Sequence, residues 1–323
     1  MLPKVSILIP CYNADRWIAQ AIQSALDQTY LNKEVIVVDD GSSDRSLEII
    51  KSFGDRIRWE TQPNQGGNVT RNRLLALSSG DWLQYLDADD YLLSNKIEKQ
   101  IQFLSDVPQT DIIYSPGIDE YHESNLRQEL ASIPKTGDSW TLLVKWQLPQ
   151  TGRPLWRKQA LVDVGGWKDN QPCCQEHDLY LRMLMAGKRF EYFEGAGSVY
   201  RIWSSFTVCN KNLPETYRRR LEIIDRAEQH LNEINELTQA RQAAISQSRF
   251  ECARSIWLSN RPWAVQVVAK IHETHPKFVP SGQAAPLNYT IIYKLCGFTA
   301  AEILADSRRR LSALFSFPQA IQS

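Results

Sequence analysis

The sequence predicts an α/β fold in which a mostly parallel sheet is flanked by helices, with a helical extension at the C-terminal end. Over roughly the first hundred residues, short unbroken apolar runs alternate with segments whose apolar residues recur at helical spacing. Unbroken runs of this length are typical of strands that are buried on both faces of a sheet. Strand and helix in alternation favour right-handed crossovers, and these build a parallel sheet.

The elements of this first region follow from the apolar spacing and from the residues that interrupt it. Val5–Ile9 is an apolar run that stops at Pro10. From Ile18 to Leu26 the apolar residues recur at i, i+3, i+4, i+7 and i+8, as on one face of a helix. Asp39–Ser43 can end the second strand and cap the next helix. We therefore predict strands at 5–9, 35–38, 57–61 and 82–86, and helices at 18–26, around Leu47–Phe53 and around 69–77.

Beyond about residue 105 the pattern is less regular, and it then changes character. Strands are predicted at 111–114, 190–193 and 199–203, with a turn at Gly165–Trp167 and a buried helix at 179–186. After about Pro214, apolar residues recur only at helical spacing. A chain of 323 residues has room for about two domains. We predict a first domain over 1–210, with a nucleotide-binding half at about 1–105 and an acceptor half at about 106–210, and a helical region over 211–323.

The composition excludes several classes of protein. Lys plus Arg and Asp plus Glu both number 37, so the net charge is zero and no overall field attracts nucleic acid. No apolar span of about 20 residues and no basic leader is present, which argues against a transmembrane helix and a signal peptide. The six cysteines are scattered, as is typical of reduced thiols. The sequence therefore predicts a cytoplasmic location.

Three polar clusters directly follow predicted strands, at Pro10–Asn13, Asp39–Ser42 and Asp87–Asp90. Because open parallel sheets bind ligands beyond the carboxyl ends of their strands, we expect the clusters to converge on one rim. In the third cluster two aspartates flank Ala88 and offer the hard oxygen ligands that Mg²⁺ and Mn²⁺ prefer. The alternative is a solvated acidic turn that caps the next helix. Asp40 on a neighbouring strand end favours the ligand site, because so many acids would repel one another without a cation or a donor-rich ligand.

Five motifs, taken in order, resemble those of the family 2 glycosyltransferases. They are Val5–Asn13, Gln28–Tyr30, Val37–Asp44, Asn64–Gly67 with Arg71 and Asn72, and Leu86–Asp90. The resemblance covers about residues 4–205 and leaves 211–323 outside it. It implies a GT-A fold built on a Rossmann-like sheet, a nucleotide-sugar donor, and inversion at the anomeric carbon of the transferred sugar.

The resemblance also implies a donor site on the rim of the sheet. Asp40 is similar to the carboxylate that accepts a hydrogen bond from the nucleotide base, and the rest of the base and ribose pocket would be formed by Pro10, Tyr12 and Asn13. A ring N–H of the base needs such an acceptor.

The acids after the fourth strand resemble a DxD motif, so Asp87 and Asp89 are the predicted ligands of a Mn²⁺ or Mg²⁺ ion. Asp89 would contact the metal directly, and Asp87 would contact the ribose or support the metal site. Arg71 would face the sugar or the diphosphate, since a diphosphate needs cations. For Arg71 a surface salt bridge is an equally good interpretation.

A second group of carboxylates lies at the start of a predicted helix, in Gln175–Arg182. In the family such a segment carries the base that deprotonates the acceptor hydroxyl. The usual pattern has two adjacent acids followed by a third, and here Gln175 replaces the first. The resemblance therefore favours Glu176 as the base, with Asp178 as the second catalytic candidate, a helix cap or an acceptor contact. The structural alternative is an acidic helix start that the helix dipole stabilises. A helix start would also lower the basicity of His177.

Together these features predict a metal-dependent, inverting glycosyltransferase of polysaccharide biosynthesis in the cell envelope. Its favoured donor is a UDP-sugar, and its acceptor is a saccharide or a lipid-linked molecule. A non-catalytic nucleotide-sugar-binding or scaffold protein is an alternative that would fit the departure at Gln175. A nucleotidyltransferase is the other alternative, but it would normally need a glycine-rich, basic first loop, and Cys11–Asp15 holds no basic residue.

The C-terminal region carries one further feature, an arginine run at Arg308–Arg310 that follows an apolar and aromatic stretch at Leu287–Phe298. Such a run is most often a solvated helix face, and contact with a membrane surface is the alternative interpretation. The second interpretation predicts peripheral attachment at the inner face of the membrane.

Overall fold

The computed structural model describes residues 2–122, 127–135, 137–203 and 212–315, with side chains to Arg309. The chain folds as two compact units, Met1–Thr216 and Tyr217–Ser323. The site residues predicted from the sequence all belong to the first unit.

Strands and helices alternate along the first unit. Its described strands are β1 (Val5–Cys11), β2 (Lys33–Asp39), β3 (Arg58–Thr61), β4 (Trp82–Tyr85), β5 (Tyr91–Leu92), β6 (Ile112–Tyr114), β7 (Gly117–Tyr121), β8 (Arg127–Ala131), β9 (Leu155–Arg157), β10 (Phe190–Tyr192) and β11 (Ser198–Ile202). Its described helices are α1 (Ile18–Leu26), α2 (Ser46–Ser52), α3 (Gly67–Leu77), α4 (Lys96–Phe103), α5 (Ser139–Val144), α6 (Lys158–Asp163) and α7 (Gln175–Met185).

The large sheet has seven strands in the order β10-β6-β9-β4-β1-β2-β3. Every pairing in it is parallel except those of β9, which runs antiparallel to β4 and β6. The predicted α/β fold with a mostly parallel sheet is therefore confirmed. Cys11 pairs with Asp39 at the ends of β1 and β2, so the loops that follow these two strands start side by side.

Apolar burial fixes the position of those strand ends. Ile7 and Ile9 of β1 are fully buried, and so are the residues that form one stripe of α1, Ile18, Ala21, Ile22 and Ala25. Full burial of an isoleucine side chain contributes roughly 1.5–3 kcal/mol. The loops beyond the strands are therefore attached to a rigid core, which gives their polar side chains defined positions.

A second sheet has four strands in the order β5-β11-β7-β8, and of these the sequence predicts only β11. β5 has two residues, which is too short for an apolar pattern. β8 is exposed at four of its five residues, so it has no apolar alternation to detect. The helices α4, α5 and α6 and the three-residue strand β9 were not predicted either.

The second unit is helical over its described residues, as the sequence predicts for the C-terminal region. Helix α8 (Leu213–Glu233) leads into it and is followed by α9 (Gln239–Trp257), α10 (Arg261–Thr274) and α11 (Leu287–Phe315). The side chains of Thr238 and Asn260 cap the starts of α9 and α10 by accepting backbone N–H groups. Helix α11 is broken at Gly297, where φ is +80°. In the part of the chain that the structure describes, no helix is both long and apolar enough to cross a membrane.

Candidate active site

The loops after β1 and β2 form one rim of the large sheet. The backbone N–H of Asn13 donates to Ser42 Oγ at 3.0 Å, and Asn13 Oδ1 accepts from the backbone N–H of Ser43 at 2.8 Å. Asn13 has φ +48°, a left-handed conformation that asparagine tolerates better than most residues. The first two polar clusters predicted from the sequence therefore lie against each other.

Asp40 fastens this rim to the loop before α3. Its Oδ1 accepts from Gln62 Nε2 at 2.8 Å and from the backbone N–H of Gln65 at 3.0 Å, and its Oδ2 accepts from the backbone N–H of Gly66 at 2.9 Å. At Gly41, φ is +73° and a Cβ atom would lie 2.9 Å from the backbone nitrogen of Asn64. A side chain at Gly41 would therefore separate the two loops that Asp40 joins.

A cavity of about 700 Å³ lies on this rim, and we call it the Asp89 cavity. It brings together all the residues that the sequence predicts for the donor and metal sites, namely Pro10, Tyr12, Asn13, Asp40, Arg71, Asp87 and Asp89. Tyr12 is 54% exposed, so its ring is available to a ligand in the cavity. The cavity therefore contains every residue predicted for these two sites, and the roles of these residues stay predictions.

Arg71 and Asp87 form an ion pair on one side of the cavity. The Nη2 of Arg71 lies 2.8 Å from Asp87 Oδ1, and the guanidinium lies 5.1 Å from the ring centroid of Trp167. Burial alone would lower the pKa of Arg71, but the carboxylates of Asp87 and Glu176 raise it above its usual value. Arg71 therefore does form a salt bridge, as the alternative interpretation of the sequence proposed. The bridge lies inside the cavity and not on the open surface, because only 13% of the Arg71 side chain is exposed.

Asp89 is held from two sides by β11 and the residue that follows it. Trp203 Nε1 donates to Asp89 Oδ2 at 3.0 Å, and Arg201 Nη1 donates to the backbone carbonyl of Asp89 at 2.7 Å. The backbone N–H of Arg201 also donates to Asp90 Oδ1 at 2.9 Å. Burial and the neighbouring Asp87 raise the pKa of Asp89, while the Trp203 hydrogen bond opposes this rise.

The two aspartates suit a divalent cation that also takes ligands from a substrate. In the described residues no group of three or more His, Cys, Asp and Glu could hold a metal alone. Asp87 Oδ2 and Asp89 Oδ1 accept no side-chain hydrogen bond from the described residues. Mg²⁺ and Mn²⁺ commonly use one or two carboxylates together with phosphate oxygens and water. The donor set therefore fits such an ion when a diphosphate completes it.

A second cavity, of about 1030 Å³, contains the other predicted carboxylate, and we call it the Glu176 cavity. Glu176 lies in the first turn of α7, where the helix dipole favours a negative charge. Its Oε1 accepts a hydrogen bond from Thr151 Oγ1 at 2.5 Å. The two cavities share five lining residues, Gly66, Gly67, Arg71, Asp87 and Tyr200, so they adjoin at one boundary.

Tyr200 of β11 stands at that boundary. Burial raises the pKa of its hydroxyl, and the nearby carboxylates of Asp90, Asp89, Asp87 and Glu176 raise it further. The phenol therefore stays protonated and can donate a hydrogen bond between the two cavities. Neither Tyr200 nor Arg201 was predicted as a site residue from the sequence. The signal that could have identified them is a tyrosine and an arginine at the end of a predicted strand.

Asp178, the second catalytic candidate predicted from the sequence, lines neither cavity. It is buried, its Oδ1 lies 2.7 Å from Lys168 Nζ, and its Oδ2 lies 2.8 Å from Arg182 Nε. Burial would raise the pKa of Asp178, but these cationic partners lower it. His177 is also buried, and its ring stacks on Trp146 at 3.8 Å. Of the two catalytic candidates, Glu176 is therefore the one that lines a cavity.

Two solved structures share this fold. The chain superposes on Staphylococcus aureus TarS 1–349 in complex with UDP-GlcNAc with a TM-score of 0.65 and 13% identity, covering 95% of this chain and 92% of that chain. The mannosyltransferase PcManGT from Pyrobaculum calidifontis, in complex with GDP-Man and Mn²⁺, gives a TM-score of 0.52 and 15% identity, over 98% and 81% of the two chains. These likenesses show the fold, and the GT-A type predicted from the sequence is confirmed.

Sequence comparisons also find similarity to glycosyltransferases. An uncharacterized glycosyltransferase of Haemophilus influenzae is 41% identical over 107 residues, which are 32% of this chain and 43% of that protein. The chain therefore spans less than half the length of that relative. Residues 6–163 of the chain match the family model described as Glycosyl transferase family 2, and they contain the β1, β2 and β4 motifs.

Proposed function

We propose that this protein is an inverting glycosyltransferase that uses a nucleotide-sugar donor, with a UDP-sugar as the favoured one. The observation that carries the proposal is the boundary shared by the two cavities at Arg71, Asp87 and Tyr200. A donor in the Asp89 cavity would have its leaving group on one side of this boundary, and Glu176 would meet the acceptor on the other. The complex of TarS with UDP-GlcNAc supports a uridine nucleotide on this fold.

The nucleotide end of the donor would bind on the rim. Tyr12, with Pro10 and Asn13, would form the wall of the base and ribose pocket. Asp40 accepts three hydrogen bonds from Gln62, Gln65 and Gly66, and a carboxylate has about four acceptor positions. We propose that the remaining position accepts a base N–H.

The diphosphate end would lie between Arg71 and the two aspartates. Arg71 would donate to phosphate oxygens, and such charge-assisted bonds strengthen as negative charge develops on the leaving group. Asp87 and Asp89 would hold a Mn²⁺ or Mg²⁺ ion, which supplies Lewis-acid stabilisation of the diphosphate when bound. Trp203 would keep Asp89 oriented through its indole N–H.

Glu176 would act as the general base. It would take the proton of the acceptor hydroxyl while that oxygen attacks the anomeric carbon, a role typically worth 10²–10⁴-fold in rate. Thr151 donates to Glu176 Oε1 and so orients the carboxylate. Attack from the Glu176 cavity on a donor in the Asp89 cavity is a single in-line displacement, which inverts the anomeric carbon.

We extend the proposal to a saccharide or lipid-linked acceptor that is used at the inner face of a cell membrane. The support lies on α11, where Leu287, Ile291 and Leu295 are 78%, 49% and 78% exposed. Four-residue spacing places them along one helix face. Sedimentation with vesicles of anionic and zwitterionic lipids tests the membrane contact. Binding that is lost when Leu287 and Leu295 are both changed to Ser supports it, and no binding to either vesicle contradicts it.

A donor panel tests the central proposal. Purified protein with Mn²⁺ is titrated calorimetrically with UDP-, GDP- and dTDP-sugars, and slow hydrolysis is followed by release of the free nucleoside diphosphate. We expect one member to bind and to be hydrolysed. Binding of no member by the folded protein would contradict the proposal. Binding without hydrolysis would indicate a binding module, and release of pyrophosphate from a nucleoside triphosphate and a sugar phosphate would indicate nucleotidyl transfer.

A further inference from the structure

The Glu176 cavity has an unbalanced charge on its side away from the donor. Its described lining residues include two arginines and four carboxylates, namely Arg71, Arg153, Asp87, Asp119, Asp169 and Glu176. Arg71 and Asp87 belong to the boundary with the Asp89 cavity. Apart from His177, the lining residues of the remaining wall therefore carry one cation, Arg153, and three anions, Asp119, Asp169 and Glu176.

The single cation of this wall already has a carboxylate partner. Arg153 Nη2 donates to Asp119 Oδ1, and the two side chains are 9% and 23% exposed. The carboxylate of Asp119 offsets the charge of this guanidinium, which lowers the positive potential that a second anion would meet. Lys168 does not line the cavity, and its ammonium group pairs with Asp178.

Two carboxylates of the lining, Asp169 and Glu176, form no salt bridge with an arginine or lysine of the described residues, although Arg71 lies near enough to Glu176 for their charges to interact. Asp169 accepts from the side-chain amide of Asn72 at 2.8 Å, and Glu176 accepts from the hydroxyl of Thr151. Both partners are neutral, so neither brings a positive charge to these carboxyl groups. Four glutamines, Gln147, Gln150, Gln171 and Gln175, also line the cavity and offer amide donors and acceptors.

We propose that this cavity takes an uncharged, hydroxyl-rich acceptor and rejects acceptors that carry a phosphate or carboxylate near the reacting hydroxyl. The inference rests on the proposed glycosyl transfer and names the acceptor class of that reaction. Sugar hydroxyls can donate to carboxylates and exchange hydrogen bonds with amides. Arg71 would be engaged by Asp87 and by the donor diphosphate, so an anionic group beside Asp169 and Glu176 would meet like charges without a cation of its own. Like charges brought together in this way cost several kcal/mol and disfavour binding. A lipid-linked acceptor would keep its phosphate outside the cavity.

Matched acceptors test this inference. Donor consumption is measured at pH 8 with the nucleotide sugar found in the donor panel, in the presence of methyl hexosides, the corresponding methyl uronides and the corresponding 6-phosphates. We expect a neutral glycoside to change the rate of donor consumption at a low concentration. The charged counterparts should need a concentration at least tenfold higher for the same change. The inference is overturned if charged glycosides act at equal or lower concentrations, or if no neutral glycoside has an effect.

Substitutions in the wall sharpen the test. Asp119→Asn releases Arg153 from its carboxylate, so we expect the preference for neutral over anionic glycosides to fall at least tenfold. Asp169→Asn removes one charge from an exposed position and should shift the preference in the same direction if Asp119→Asn fails to fold. Glu60→Gln, a carboxylate-to-amide change on β3, is the matched control and should keep the preference. An unchanged preference in both wall variants overturns the inference.

The proposed function has its own readout in the same assay. Donor hydrolysis that is present in the wild type and lost in Glu176→Gln supports glycosyl transfer whatever the acceptor preference. Absence of donor binding and hydrolysis would instead count against the proposed function itself.

Discussion

Trp203 donates a hydrogen bond of 3.0 Å from its indole Nε1 to Oδ2 of Asp89, across 114 positions of the chain. The neighbouring Arg201 donates to the backbone carbonyl of the same aspartate at 2.7 Å. The orientation of Asp89 at the end of the large sheet therefore depends on the four-stranded sheet, which contains β11. Outer hydrogen bonds of this kind orient a carboxylate for a metal ion and tune its affinity.

Trp203→Phe keeps an aromatic ring and removes the N–H. We expect the affinity for Mn²⁺, measured by electron paramagnetic resonance in the presence of UDP, to fall about tenfold, since loss of such an outer partner commonly costs about 10–100-fold. Trp59→Phe in β3 makes the same chemical change outside both cavities and is the control. Equal Mn²⁺ affinity in the wild type and both variants would show that the indole does not support the metal site.

Arg71 and Arg73 allow a comparison within one helix. Arg71 pairs with Asp87 inside the Asp89 cavity, whereas Arg73 pairs with Glu60 on the surface. A hydrogen bond to a charged group is worth about 1.5–3 kcal/mol, so Arg71→Ala should weaken binding of UDP in the presence of Mn²⁺ by about 10–100-fold. Arg73→Ala should leave it unchanged. Calorimetry measures the dissociation constant of UDP for the wild type and for both variants. Equal constants would show that Arg71 forms a salt bridge with Asp87 and does not bind the nucleotide.

Glu176 and Asp178 lie two residues apart, and their substitutions should affect different quantities. Glu176→Gln should lower kcat by about 10²–10⁴-fold and leave the dissociation constant of the donor within a factor of about three, because the base acts on the acceptor. Asp178→Asn should keep most of kcat. It should lower the free energy of unfolding by about 2 kcal/mol, because Lys168 and Arg182 lose a charged partner.

Kinetics and urea unfolding of the two variants separate these effects. The reverse pattern, with full turnover in Glu176→Gln and lost turnover in a stable Asp178→Asn, would transfer the role of base to Asp178.

Glu34 should make the stability of the first unit depend on pH. Burial alone would raise its pKa, but hydrogen bonds from Ser6, Ser79 and Lys4 lower it from 4.5 to about 2. A carboxyl whose folded pKa is lowered stabilises the fold above its unfolded pKa, and this stabilisation is lost as the pH falls towards the folded pKa. We therefore expect about 3 kcal/mol of stability to disappear between about pH 4.5 and pH 2.

Urea unfolding at pH 6 and at pH 2.5 measures this loss. In Glu34→Gln the difference between the two pH values should shrink by most of that amount. Glu129→Gln, an exposed change on β8, should keep the difference of the wild type. A Glu34→Gln protein with an undiminished difference would show that other carboxyls cause the acid sensitivity.

The fold of residues 5–85 is predictable because its signals are local. β1, β2 and β4 are nearly unbroken apolar runs, and polar clusters follow them at once. The same local signals predict the three polar clusters that line the Asp89 cavity, whereas Arg71 is identified through the family resemblance. Register between neighbouring parallel strands then brings Cys11 beside Asp39 without further information.

The rest of the site depends on contacts between distant parts of the chain. Arg201 of β11 and Trp203, which follows this strand, donate hydrogen bonds to Asp89, although they are 112 and 114 positions away in the chain. No local pattern in a five-residue strand specifies such a partner. Asp178 illustrates a different limit. Its partners Lys168 and Arg182 are close in sequence, but the family motif suggests a chemical role, and only the fold shows that both oxygens of Asp178 are taken up by ion pairs. Short strands and buried ion pairs therefore determine which of the candidate carboxylates line a cavity, and neither feature can be recognised from local sequence patterns.

The configuration of the product tests most directly whether the Asp89 and Glu176 cavities flank one reacting carbon. An α-linked nucleotide sugar from the donor panel is incubated with the enzyme, Mn²⁺ and methanol, and the anomeric proton of the methyl glycoside is observed by NMR. Attack from the Glu176 side across the Arg71–Asp87 boundary predicts the methyl β-glycoside. Formation of the methyl α-glycoside would contradict a single displacement between the two cavities.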